Sequence, residues 1–388
     1  MNVKQKTGGL AGVVVGKTAI CTVGKAGWEL TYRGYSIREL ADRAGFEEIA
    51  HLLLYGELPD RDQLDAYRRR LTGLRALPDA LKAILEALPA AAHPMDVLRT
   101  GCSAFGCIEP EGRLSDGRRV ANRLLAAMPA VLLYWHHFHH RGQRIETQTD
   151  DPSLAGHFLW LLHGKQPDDL KRRAMDASLV LYAEHELAAS TFAARIAAST
   201  RTDFHSAITS AVGTLRGPLH GGANEASLAF VQQFQTADAA EEGVLAALAR
   251  KERIMGFGHP VYTTCDPRSD MIKSWAMRLA DSADDRQLLS IAQRIEAVMQ
   301  REKQLFPNLD FYAAMTYRFL GIPVPMFTPV FVCSRLAGWA AHVLEQRTDN
   351  KLLRPSAEYI GHEPRSCPPI DQRAPAAESV DADEEGDR

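Results

Sequence analysis

The sequence predicts a mainly α, two-domain protein, on three grounds. Apolar residues recur at helical spacing through most of the chain, few segments alternate with period two, and 388 residues suit two domains better than one. The first element is an exception to the helical pattern: Ala19 to Tyr32 reads as a short hairpin, with Gly24 and Gly27 as turn signals. His51 to Leu54 lie in a helical stretch that Gly56 and Pro59 close. Leu64, Tyr67, Leu71 and Leu74 follow at spacings of three and four. The longest apolar run, Leu124 to Trp135, falls short of the ~20 residues a bilayer span needs, and Pro129 interrupts it. Leu288, Ile291, Ile295, Val298 and Met299 form another apolar stripe, opened by the helix-starting residues Ser282, Asp284 and Asp285. From about Arg365 the chain turns rich in proline, alanine and acids, so 365–388 is expected to be a disordered acidic tail.

Composition narrows the function. Apolar residues make up 46% of the chain and charged residues 24%, as in an ordinary globular protein. The net charge of −3, from 45 basic and 48 acidic side chains, argues against a nucleic-acid or anionic-membrane partner. An anionic substrate would therefore be held by a few placed arginines. Six scattered cysteines without a C-x-x-C pair argue against a disulfide framework or a zinc site. The N-terminus lacks the charge, apolar run and small-residue order of a signal peptide, so a cytoplasmic protein is expected.

Two motifs point elsewhere. Ala11 to Thr18 reads A-G-V-V-V-G-K-T, near the phosphate-cradling loop pattern, but that loop needs a strand before it and a helix after it. Here a polar N-terminus precedes and a strand-like stretch follows, and the first position is Ala11 rather than glycine. His136, His137, His139 and His140 cluster, with His136 and His140 on one helical face. They are either a metal pair or a polar helix end near Arg141, and no nearby acid completes a ligand set.

Three segments set ionisable residues beside glycine or proline, where the backbone can turn sharply and approach a ligand. They are Arg216 to Asn224 around His220, Gly256 to Tyr262 around His259, and Phe306 to Asp310. Asp266-Pro267-Arg268 reads as a helix start, with Asp266 as the cap and Pro267 in first position. A cation in a first turn opposes the helix dipole, so Arg268 either meets an anion or reaches water. Arg335 sits in an apolar segment, where a charge needs a partner, and Arg354 lies in Lys351 to Ala357. Spacing alone says only that two histidines, an aspartate and some arginines are present.

These segments, His220-Gly-Gly-Ala-Asn224, Gly256-Phe-Gly-His259, Asp266-Pro-Arg268, Pro307-Asn-Leu-Asp310 and Ser334-Arg335, resemble the signature regions of the citrate synthase family in order and spacing. The likeness runs from about Thr22 to Gly361 and takes in Tyr32-Arg-Gly-Tyr35. Leu88 to Thr100, Met326 to Pro329, Gly338 to His342 and Glu345 to Lys351 are most similar to the 2-methylcitrate synthases within that family. The resemblance implies a large helical domain from 1–220 and 318–364, with a smaller helical domain, 221–317, inserted, and a homodimer or higher assembly whose cleft closes over substrate.

The resemblance also implies roles. Catalysis falls to His220, His259 and Asp310. Oxaloacetate falls to His185, Arg268, Arg335 and Arg354, with Phe331 lining its pocket, and Arg354 would reach the partner subunit's site. Coenzyme A falls to the Ile254, Gly256, Phe257 and Gly258 loop and to Asn308. No permanent cofactor and no metal are implied, the coenzyme A thioester being a substrate. Tyr182 and Leu309 flank the matched positions and are either acyl-pocket walls or core residues. Two positions depart from the family: Ala188 stands where bacterial members usually carry asparagine, and Thr263 where some relatives place an arginine on a coenzyme A phosphate. The activity implied is condensation of propionyl-CoA with oxaloacetate and water. The alternatives are a citrate synthase acting on acetyl-CoA, a non-catalytic acyl-CoA-binding relative, and a nucleotide-binding protein using Lys17.

Overall fold

The computed structural model describes Leu10, residues 13–25 and residues 28–373. The chain forms two compact units, Met1–Leu353 and Arg354–Arg388. The first opens with the expected hairpin. Strands β1 (Cys21–Lys25) and β2 (Trp28–Tyr32) pair antiparallel with Cys21 opposite Tyr32, and a short β3 (Tyr35–Ser36) adds to β2. Gly27 lies outside the described residues, while Gly24 takes a left-handed φ of 65°.

Sixteen α-helices follow among the described residues. The early ones are α1 (Ile37–Arg43), α2 (Phe46–Tyr55), α3 (Arg61–Gly73), α4 (Asp79–Ala87), α5 (Pro94–Ile108) and α6 (Gly117–Arg141). Then come α7 (Leu154–His163), α8 (Asp169–Tyr182), α9 (Ala189–Ser199), α10 (Phe204–Leu215), α11 (Ala223–Val231) and α12 (Ala237–Ala249). The last are α13 (Ser269–Leu279), α14 (Ala283–Lys303), α15 (Leu309–Phe319) and α16 (Phe327–Thr348). Local signals act where the sequence places them. Gly56 ends α2 in the left-handed conformation, α3 buries Leu64, Tyr67 and Leu71, and Ser282 with Asp285 forms a capping box on α14.

The framework of the first unit is α16, which packs against α2, α6, α8, α9 and α10. The stretch Val324–Thr348 is long and apolar enough to cross a membrane by length and composition, and 94% of its most apolar window is buried inside the protein, so it is a core helix. It is longer than the Leu124 to Trp135 run that stood out in the sequence, but Ser334, Arg335 and His342 break it, so that run remains the longer unbroken one. Pro129 does not interrupt α6. The helix continues through it for 25 residues, buried on nearly every side, so packing offsets the one backbone hydrogen bond proline removes.

The histidine cluster does close α6 beside Arg141, with His140 exposed, but it is not all polar surface. His137 is 2% exposed and its Nε2 lies 2.8 Å from Leu161 O, while His139 Nε2 lies 3.1 Å from Leu85 O. These rings tie α6 to α7 and α4. The A-G-V-V-V-G-K-T segment is followed by β1 rather than a helix, and its Ala11 and Gly12 lie outside the described residues. In the second unit, residues 354–373 are exposed with a single 3₁₀ turn at Ile370–Gln372. The acidic end of the expected tail, 374–388, lies outside the described residues.

Candidate active site

Four chain segments and helix α16 meet around one cavity of about 550 Å³. The first leaves the end of α8. The buried Tyr32 hydroxyl accepts from Glu184 N at 3.3 Å and lies 3.1 Å from Glu184 O, holding the turn that presents His185. Glu186 is held at φ 52°, a left-handed conformation costly for a side chain with a Cβ. His185 Nε2 lies 3.0 Å from the Tyr262 hydroxyl, and its ring meets that of His259 at 5.0 Å. Burial, then Arg268 and Arg335, pushes the His185 pKa well below its ordinary value.

The second segment turns tightly after α10. His220 N and Gly221 N both donate to Gly217 O. A Cβ on Gly221 would stand 2.3 Å from Leu215 O, so glycine is required there. His220 Nε2 accepts from Ser190 N at 3.3 Å and lies 2.8 Å from Ser190 Oγ, which itself accepts from Trp339 Nε1 at 3.1 Å. A backbone N–H can only donate, so Nε2 is unprotonated and the ring proton resides on Nδ1. Burial and Arg335 lower the His220 pKa to about 4, which keeps the ring neutral.

The third segment, Ile254 to Tyr262, carries His259. Its Nδ1 accepts from Val261 N at 3.1 Å and Tyr262 N at 3.3 Å, which leaves the proton on Nε2. Burial and Arg268 lower this pKa also to about 4. The two imidazoles are thus neutral donors of opposite tautomer. The loop is stitched to the fourth segment: Gly258 N donates to Phe306 O at 2.8 Å, Asn308 N to Gly256 O at 2.9 Å, and Asn308 Nδ2 to Gly258 O at 3.0 Å. Gly256 sits at φ 89° with Ser227 Oγ 2.6 Å from where a Cβ would be.

Asn308 caps α15 by accepting from Asp310 N at 3.1 Å, placing Asp310 in the first helical turn. Asp310 Oδ1 accepts from the Tyr182 hydroxyl at 2.6 Å. Burial raises the Asp310 pKa, with the Tyr182 bond pulling against it. The result is a carboxylate more basic than usual, suited to taking a proton.

The arginines sit deeper than the sequence suggests. Arg268 is 5% exposed, and its Nε and Nη2 donate to Asp266 at 2.9 and 2.8 Å. Helix α13 begins at Ser269, later than the Asp266 cap reading implied, because both Asp266 oxygens are taken by Arg268 and by Leu309 N. Burial raises the Asp266 pKa, and the Arg268 charge together with the hydrogen bonds from Arg268 and Leu309 N more than offsets this, leaving it below the ordinary range. Arg335 donates from Nε to Tyr182 O at 2.7 Å and lies 4.6 Å from the Phe331 ring centre. Its Nη1 is buried and has no hydrogen-bond partner among the described residues, an orphan donor in a wall of the cavity.

The cavity therefore collects Tyr182, His185, His220, the Ile254–Gly258 loop, His259, Arg268, Asn308, Leu309, Asp310, Phe331 and Arg335. Arg354 belongs to the second unit and is exposed. Sequence reasoning missed Asp266 as the partner of Arg268, Ser190 and Trp339 behind His220, and Tyr262 against His185. The first was within reach, since a buried arginine two residues from an aspartate invites pairing. The others depend on contacts between distant segments.

The chain is similar to known proteins along nearly its whole length. The family model described as citrate synthase, C-terminal domain, matches residues 9–356. A 2-methylcitrate synthase of Shewanella oneidensis is 53% identical over 371 residues, covering 95% of this chain and 99% of that protein. A citrate/2-methylcitrate synthase of Bacillus subtilis is 40% identical, covering 91% and 96%. Among solved structures, the Thermoplasma acidophilum citrate synthase in ternary complex with carboxymethyl coenzyme A and oxaloacetate matches with a TM-score of 0.86 at 31% identity, covering 93% of this chain and 98% of that one.

Proposed function

The chain belongs to the citrate synthase family, and from that premise we propose that it condenses propionyl-CoA with oxaloacetate and water, giving 2-methylcitrate and coenzyme A. The observation that carries this reading is a raised-pKa carboxylate, Asp310, sharing one cavity with two neutral imidazoles that hold their protons on opposite ring nitrogens.

In this scheme Asp310 takes a proton from the thioester's α-carbon while His220 Nδ1–H donates to the thioester oxygen, where negative charge develops. A neutral donor of this kind stabilises an enol or enolate without needing a charged ring in a buried site. The enol carbon attacks the oxaloacetate ketone. His259 Nε2–H polarises that carbonyl and gives its proton to the new alkoxide. Water then cleaves the thioester and releases coenzyme A. Arg268, Arg335 and His185 hold the dianion, the orphan Nη1 of Arg335 finding its acceptor there, and Arg354 of a partner subunit completes the set.

The Ile254–Gly258 loop and Asn308 hold coenzyme A, and Tyr182 and Leu309 wall the acyl group. Residues 221–317 form the smaller domain that closes over the cleft, and the enzyme works in the cytoplasm as a homodimer. Some activity on acetyl-CoA accompanies the main one, because a single methylene decides only ~1–3 kcal/mol in an apolar pocket. The B. subtilis relative carries both activities in its name.

The test mixes oxaloacetate with propionyl-CoA or acetyl-CoA and follows free thiol. Faster release with propionyl-CoA supports the proposal. A preference for acetyl-CoA makes the protein a citrate synthase, and no thiol with either leaves only a binding role.

A further inference from the structure

Behind the cavity lies a buried polar chain that the mechanism does not use. Glu184 and His342 are both 0% exposed and lie 158 residues apart in sequence, yet His342 Nε2 stands 2.9 Å from Glu184 Oε1. On the other side of the ring, Arg195 Nη1 donates to His342 Nδ1 at 2.8 Å. Arginine only donates, so Nδ1 is the acceptor and the proton is on Nε2, pointing at the carboxylate. Arg195 is itself fixed by Glu345 Oε2 at 2.6 Å and Gln346 Oε1 at 3.1 Å, and Glu345 Oε1 accepts from Ala19 N at 2.8 Å.

The chain bears on the site through one face of α16. Arg335, Gly338, Trp339 and His342 follow at helical spacing, and each meets the segment 182–190. Arg335 holds Tyr182 O, and Trp339 holds Ser190 Oγ. A Cβ on Gly338 would stand 2.4 Å from Ala183 O and 2.1 Å from Glu184 Oε2, so the two backbones touch there. Between the outer grips, His342 holds Glu184, the residue next to His185. Ser190, at the far end of the segment, accepts from Trp339 and supplies the contacts to His220 Nε2.

We propose that His342 is a positioning residue for oxaloacetate binding: a neutral two-way connector from Arg195 to Glu184 that keeps His185 and the 183–190 segment in register against α16. This rests on the oxaloacetate reading above and extends it to a residue outside the cavity. A buried connector that both accepts and donates cannot be replaced by an apolar side chain without leaving Arg195 and Glu184 unmatched. Glutamine can replace it, because its amide offers an acceptor to Arg195 and a donor to Glu184.

The experiment compares the full-length wild type with H342L, H342Q and H342N. It measures oxaloacetate binding alone by calorimetry and both KM values by thiol release. H342L is expected to weaken oxaloacetate roughly tenfold, the weight of one buried hydrogen bond, while the acyl-CoA KM stays within about twofold. H342Q is expected to restore most of the affinity. H342N, which meets Arg195 but falls short of Glu184, carries the same expectation as H342L should the leucine variant not fold. Unchanged oxaloacetate affinity, an equal rise in both KM values, or a folded H342Q no better than the others overturns the proposal. Wild-type protein that neither binds oxaloacetate nor releases thiol overturns the underlying function instead.

Discussion

The Tyr182 hydroxyl donates to Asp310 Oδ1 at 2.6 Å, joining the last residue of α8 to the first turn of α15. Burial favours the protonated form of Asp310, and this bond favours the charged form. Burial and the Asp310 charge also raise the Tyr182 pKa well above its ordinary value, so the phenol stays a donor throughout the working range.

Tyr182→Phe removes the one hydrogen bond that opposes burial, so the Asp310 pKa rises further. The acid limb of the kcat/KM profile then moves to higher pH, and kcat at neutral pH falls ~10-fold or more because less of Asp310 is in the ionised form that takes the proton. Oxaloacetate affinity is expected to hold. A pH–rate profile whose acid limb stays in place shows that the phenol does not tune the base.

Asp266 ties together Arg268 and Leu309 N, linking a substrate-facing cation to the start of α15. Asp266→Asn leaves the Arg268 guanidinium buried without its counter-charge, a loss of ~3–5 kcal/mol for a broken buried pair. Because the folded Asp266 pKa is depressed, its stabilisation is present above the unfolded value near ~4 and is lost as pH falls through the folded value. Urea unfolding should therefore show a large deficit in the variant at pH 7. That deficit should narrow in acid. A constant deficit down to the lowest pH argues against the charge pair.

Leu309 is 2% exposed, lines the cavity and precedes Asp310. Leu309→Val removes one methylene from the proposed acyl wall. The extra room should raise the propionyl-to-acetyl ratio of kcat/KM by roughly 3–10-fold, within the range one methylene commands. Competition between the two thioesters measures it. An unchanged ratio makes Leu309 a core residue.

What the sequence disclosed depended on range. The α3 stripe, the Ser282 start of α14 and the Gly56 stop of α2 rest on neighbours within a few residues, and all appear as read except that Leu74 caps α3 from outside and is half-buried. The ionisable residues beside glycine were legible for a related reason: Gly221 and Gly256 stand where a Cβ would strike the backbone or a side chain. Long-range pairing was not legible. Pro129 lies inside a helix because packing on α6 outweighs one lost hydrogen bond, and the His137 environment is set by α7. Arg268 turns inward onto Asp266, whose second tie is to Leu309 N, a contact 43 residues away that no local pattern shows.

Asp176 illustrates a cost that the fold tolerates away from the cavity. Its Oδ1 accepts from Phe46 N at 3.2 Å at the start of α2, but burial and the nearby Glu47 carboxylate push its pKa up to about 7. A carboxyl raised in the folded state favours folding only while it is protonated. That contribution is complete below the unfolded value near ~4 and is lost as pH rises toward 7. Above that, the native state must hold a charged carboxylate beside Glu47. Asp176→Asn keeps an oxygen for Phe46 N and is neutral at every pH. The variant should melt several degrees above the wild type at pH 8, and the gap should close toward pH 4. Melting temperatures across that range decide it: a gap independent of pH would trace the gain to packing, and no gap at pH 8 would mean that Asp176 and Glu47 are not in conflict.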